Sequence, residues 1–89
     1  MNAIITVVGS DKVGIIAEVS ALLAAHKVNI ADITQTILSG NFVMMMMVSM
    51  EGADVSLDGL RAVLEDADKK MGVEINIMAE KVFSSMNRI

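Results

Sequence analysis

Gly9-Ser10-Asp11-Lys12-Val13-Gly14 joins two stretches of different hydrophobic period. Ahead of it, residues 3–8 (Ala-Ile-Ile-Thr-Val-Val) are rich in β-branched side chains and read as a strand. Behind it, Ile15, Ile16, Val19, Leu22 and Leu23 recur on one face of a helix. So abrupt a change of period demands a tight strand-to-helix turn. Gly9 and Gly14 relax the steric limits on the backbone there, and Ser10 or Asp11 can cap the helix. The start of that helix presents unpaired N–H groups and a positive dipole end, which together can hold a carboxylate or another anion. The plain alternative is an ordinary link between a strand and a helix, since most such links bind nothing.

Outward from this turn, the first strand is apolar on both faces apart from Thr6, as a central strand should be. The helix extends over about residues 13–26 and shows Glu18 and Ser20 outward; His26 and Lys27 fall at its C-terminal end, where positive charge suits the dipole. A second strand over residues 28–38 mixes Asn29, Asp32, Thr34, Gln35 and Thr36 with apolar residues, a pattern that suits a long edge strand with a bend or bulge. Ser39-Gly40-Asn41 is a hairpin signal. The third strand, residues 42–50, sends Phe42, Met44, Met46, Val48 and Met50 to one face and Val43, Met45, Met47 and Ser49 to the other. Both faces therefore need cover: helices on one, and on the other most simply a second copy of the sheet. Alternation splits the four consecutive methionines between opposite faces, which disfavours a soft Cu(I) site and favours adaptable packing.

Ser56 is the expected N-cap of a second helix, with Leu57, Leu60, Val63, Leu64, Ala67 and Met71 on its apolar face and Gly72 as its stop. Its other face carries Arg61, Glu65, Asp66, Asp68, Lys69 and Lys70, a solvated mixed-charge run. Residues 73–80 alternate cleanly, as a half-exposed edge strand does. Val82, Phe83, Met86 and Ile89 then recur at helical spacing, enough for one or two amphipathic turns that pack on their own domain or on a partner. The expected division is one domain over residues 1–80 and a short amphipathic tail over 81–89.

The order strand, helix, strand, strand, helix, strand is the split βαβ, an α+β ferredoxin-like sandwich. Right-handed crossovers give a four-stranded antiparallel sheet of order 4-1-3-2, with both helices on one face. Strands one and three, apolar on both sides, are the two that this topology makes central.

Composition narrows the function. The chain has 89 residues, 54% of them hydrophobic, and a mean hydropathy of +0.60. A domain of this size buries only about 60 to 65% of its unfolded surface, so this much apolar material points to self-association. The longest apolar run, Phe42 to Val48, is too short to cross a bilayer. The N-terminus has no signal-peptide pattern, so a cytoplasmic protein is expected. With no cysteine and a single histidine, disulfides, thiolate metal sites and an imidazole metal site are not expected, and neither is any cofactor. A net charge of -4, with two phenylalanines and no Trp or Tyr, argues against nucleic acid as a partner. Catalysis is not expected either. A phosphate-handling enzyme on this fold needs an arginine in the first loop, where only Lys12 stands, without a nucleophile or paired carboxylates beside it.

Over residues 3–80 the chain resembles the ACT domains, small ligand-sensing modules attached to enzymes of amino acid metabolism or free-standing as regulators. Asp11-Lys12-Val13-Gly14-Ile15-Ile16-Ala17-Glu18-Val19 is similar to the family's Asp-Arg-Pro-Gly-Leu-Leu-Ala-x-Val, and Val28-Asn29-Ile30 is placed as the family's Val-Asn-Ile at the start of the second strand. The resemblance is to the stand-alone bacterial members of this length. It implies a regulatory homodimer, or a higher homo-oligomer, that pairs through its sheets and passes the presence of an amino acid to a regulated protein. The ligand contacts it implies are Ser10, Asp11, Lys12, Val13 and Gly14 of the turn, with Asn29 reaching in from the neighbouring subunit. In that arrangement Asp11 accepts from an ammonium, N–H groups near Gly14 donate to a carboxylate, and the Asn29 amide does both. Valine at position 13 departs from the family's proline and leaves an additional N–H in a looser turn. An oligomerisation or protein-interaction module without a ligand site is the competing expectation.

Overall fold

β1 (Asn2–Gly9) lies inside the sheet with a hydrogen-bonded strand on each side, the position its two apolar faces require. The computed structural model describes residues 1–10 and 12–86, without the side chains of Lys12, Val13 and Met86. After β1 come α1 (Lys12–Ala25), β2 (Asn29–Leu38), β3 (Asn41–Ser49), α2 (Leu57–Met71), β4 (Glu74–Ala79) and α3 (Glu80–Met86). The sheet has the order β2-β3-β1-β4, and every neighbouring pair is antiparallel. This is the ferredoxin-like sandwich the element order predicts, with β2 and β4 at the edges.

One face of the sheet meets α1 and α2. Ala3, Ile5 and Val7 of β1, Phe42, Met44, Met46 and Val48 of β3, and Ile75 and Ile77 of β4 form a single core with Ile15, Val19 and Leu23 of α1 and Leu60, Leu64 and Ala67 of α2. The methionine run thus divides as alternation requires. Met44 and Met46 are fully buried, whereas Met45, on the other face, is 38% exposed.

The punctuation is local. The Ser56 hydroxyl accepts the Gly59 N–H at 3.0 Å and caps α2, and Gly72, at φ 67°, ends that helix by donating its N–H to the Asp68 carbonyl. Ser39 and Gly40 both have positive φ, the signature of the two-residue hairpin that returns β2 onto β3. β2 pairs regularly with β3 except between Ile30 and Asp32, where Ala31 is the extra residue of a bulge. At the end of α1, where the sequence places it, His26 is half-buried and meets Asp54. Its Nδ1 lies 3.1 Å from Asp54 Oδ1, and its carbonyl accepts the Asp54 N–H at 3.1 Å.

The second face departs from the expectation that a second copy of the sheet alone would cover it. Glu80 leaves the fourth strand and opens α3, which packs against β1 and β4. Phe83 lines a small cavity on this face with Ile4, Met45 and Met47, and Ile4 is left only 5% exposed. The described part of the tail, up to Met86, therefore packs on the domain's own sheet.

Candidate functional site

The turn after β1 sits where two helix ends meet. β1 delivers the chain to Ser10, α1 starts at Lys12 and runs back along the sheet, and α2, antiparallel to it in this topology, finishes beside that start. Ser10, Gly14, Ile15 and Glu18 from the first unit and Met71, Gly72 and Val73 from the second line a cleft of about 160 Å³. Drug-sized ligands occupy pockets of roughly 300 to 1,000 Å³, so this one is scaled to a small molecule.

Its electrostatics come from the backbone. The N-terminal turn of α1 carries a partial positive charge, and the C-terminal turn of α2 carries a partial negative one. Across one small cleft this pairing suits a group of each sign. Glu18 adds a carboxylate at the rim, and the cleft opens at Glu18 and Met71 into a groove of about 400 Å³ between α1 and α2. The floor of that groove includes Leu22, Val63 and Ala67, and the Lys70–Asp66 pair, 3.2 Å apart, stands at its edge.

Gly9 holds the turn close to the second unit. A Cβ there would lie 2.6 Å from Val73 Cγ1 and 2.7 Å from Ile15 Cδ1, so the strand passes against both walls of the cleft only because the residue is glycine.

Of the residues expected at the site, Ser10 is exposed and lines the cleft, and Gly14 is half-buried in its wall. Lys12 and Val13 belong to the first turn of α1. Asp11 lies outside the described residues. Asn29, exposed at the start of β2, is not beside the turn of its own chain. It pairs with Ser49 of β3, which pairs with Asn2 at the far end of β1 from Gly9. At about 3.3 Å per residue, the length of β1 separates them by roughly 23 Å.

The sequence reading missed the second wall, Met71 to Val73, together with Glu18. The signal was available. Gly72 marks the end of α2, and the topology already places that end beside the start of α1.

Comparison with known proteins agrees with this architecture. A family model described as ACT domain matches residues 2–78. A UPF0237 protein of Clostridium acetobutylicum is 51% identical over 89 residues, covering all of both chains. An ACT domain protein from Streptococcus pneumoniae superposes with a TM-score of 0.82 at 43% identity, covering 93% of each chain. A formyltetrahydrofolate deformylase from Pseudomonas syringae matches with a TM-score of 0.77 at 25% identity, over 86% of this chain and 26% of that one. The same fold thus stands nearly alone in the first two and as about a quarter of a larger chain in the third. With the family match spanning nearly its whole length, this chain belongs to the ACT domain family.

Proposed function

We propose that the protein is a cytoplasmic regulatory module that binds a small amino acid as a homodimer and does no chemistry on it. The observation that carries this reading is the cleft between the start of α1 and the end of α2. An amino acid is a zwitterion, and its carboxylate suits the positive end of α1 at its first turn, Lys12 and Val13. Its ammonium suits the last carbonyls of α2, with Glu18 and Asp11 as carboxylate partners. Ser10 supplies a hydroxyl at the mouth.

Asn29 joins this site from a second copy. β2 runs in the same direction as β1, so Asn29 lies at the opposite end of the sheet from its own turn. Joining two sheets antiparallel, β2 to β2, turns one copy end for end and brings its Asn29 to the turn end of the other. The exposed Ile33, Ile37 and Leu38 of β2 favour that contact. They would favour it equally in a module that only oligomerises.

A thermal melt against each of the twenty amino acids separates the two readings. A ligand at about 100 times its Kd contributes roughly 2.7 kcal/mol, a shift on the order of 10 °C for a domain of this size. One amino acid should produce it, and Gly14→Leu and Asn29→Ala should abolish it while the protein stays folded. A flat panel would leave the oligomerising module.

A further inference from the structure

The two outer strands of the sheet are finished differently. Along an antiparallel edge, alternate residues aim both N–H and C=O away from the sheet. On β4 these are Ile75, Ile77 and, at the strand's last residue, Ala79. Asp68 Oδ2 accepts the Ile75 N–H at 3.2 Å, and the Arg61 guanidinium donates to the Ile77 carbonyl at 3.3 Å. Both side chains come from α2, and Arg61 is held in place by Asp58 Oδ1 at 2.7 Å. Arg61, Glu65 and Asp68 fall on one stripe of the helix. With Ile75, Asn76 and Ile77 they line a cleft of about 380 Å³ along the edge. A strand arriving at β4 would have to break two side-chain bonds and desolvate charges of both signs.

Among the described residues, no helix side chain bonds the outer edge of β2. Its outward-facing residues are Ile33, Gln35 and Ile37, as the Ile33 N–H shows by bonding to Asp32 Oδ1 at 2.9 Å. Among the described residues, no side chain bonds the outward backbone groups of Gln35 or Ile37. β2 is also the longer edge, 10 residues against 6, and it carries the exposed apolar side chains. A long, apolar edge beside a short, charged and bonded one is the pattern by which a sheet limits where it can be extended.

We infer that Arg61 and Asp68 close the β4 edge to strand addition, so that a second copy of this chain adds at β2 alone and edge-to-edge growth stops at two chains. The inference rests on the reading that copies join through their sheets. Pairing β2 with β2 is self-complementary about a two-fold axis and closes. Pairing β2 with β4, or alternating β2–β2 with β4–β4, continues without end.

Sedimentation velocity over a wide concentration range tests this on the full chain. The wild type should settle at a fixed mass. Arg61→Ala/Asp68→Ala should keep growing in mass as concentration rises, whereas Asp68→Asn, which retains an acceptor for the Ile75 N–H, should behave as wild type. A folded double variant whose mass follows the wild type throughout overturns the inference. Should the double variant not fold, amide hydrogen exchange on the wild type decides. As concentration rises, the amides of Gln35 and Ile37 should gain about tenfold or more in protection while that of Ile77 stays unchanged. Protection gained at Ile77 overturns the inference. If Gln35 and Ile37 gain none, the joined sheet under the proposed function fails instead, and the closed edge is judged on Asp68→Ala alone: its mass should still rise with concentration, and a mass that does not overturns the inference.

Discussion

Gly9 is fixed by what surrounds it. It ends β1 and has no positive φ to explain it, but Val73 and Ile15 leave no space for a methyl group. Gly9→Ala is therefore expected to force β1 away from the β4 side of the cleft, at a cost of about 1 to 3 kcal/mol. A thermal melt should show the midpoint lowered by roughly 4 to 8 °C for each kcal/mol. In the sequence this glycine reads only as a relaxed turn position, because nothing in a linear pattern shows that Val73, so far along the chain, comes to lie on top of it. Gly72 is the opposite case. Its helix-stopping role is readable from an apolar periodicity that ends at Met71, and its φ of 67° in the structure is the conformation that role requires.

At the scale of elements, β3 shows how far periodicity reaches. Four identical methionines carry no information in their own identity, yet their alternation assigns them to faces. Met46 is fully buried under the helices, while Met45 is 38% exposed on the opposite face. Met46→Ala should cost about 2 to 5 kcal/mol and Met45→Ala roughly 1, a contrast that urea denaturation of the two variants would read directly. Either element boundary lies within about two residues of its expected position because glycine, serine and the change of period are local signals. The seat of α3 is not a local signal. Val82 and Phe83 at helical spacing show that a face seeks cover, but the same face would fit the domain's own sheet or a neighbour's. Only the packing of Phe83 beside Ile4 and Met47 chooses. The far wall of the cleft was hidden for a related reason. It belongs to the second βαβ unit, and only the assembled topology brings Met71 to Val73 against the first.

For the whole molecule, the question is which surface meets a second copy. Ile37 is 61% exposed on β2, so Ile37→Lys should change the stability of the isolated fold by no more than about 0.5 kcal/mol. The same change should weaken self-association, since it places a charged side chain in the apolar edge that the two copies would join. Sedimentation beside a thermal melt separates those effects: a lower mass with a melt unchanged at low protein concentration is the expected result. Ala31 bears on the same edge in another way. Because it is the residue opposite no partner, between Ile30 on Val48 and Asp32 on Met47, shortening the chain by that one residue would turn an irregular ladder into a regular one. Removing a residue from the middle of the regular ladder beyond it would instead put side chains on the opposite face. A protein lacking Ala31 should therefore fold with Ile33 and Ile37 on the same face as before. Natural variation in the length of this strand has one place where it costs the sheet nothing in register, a few ångströms from Asn29.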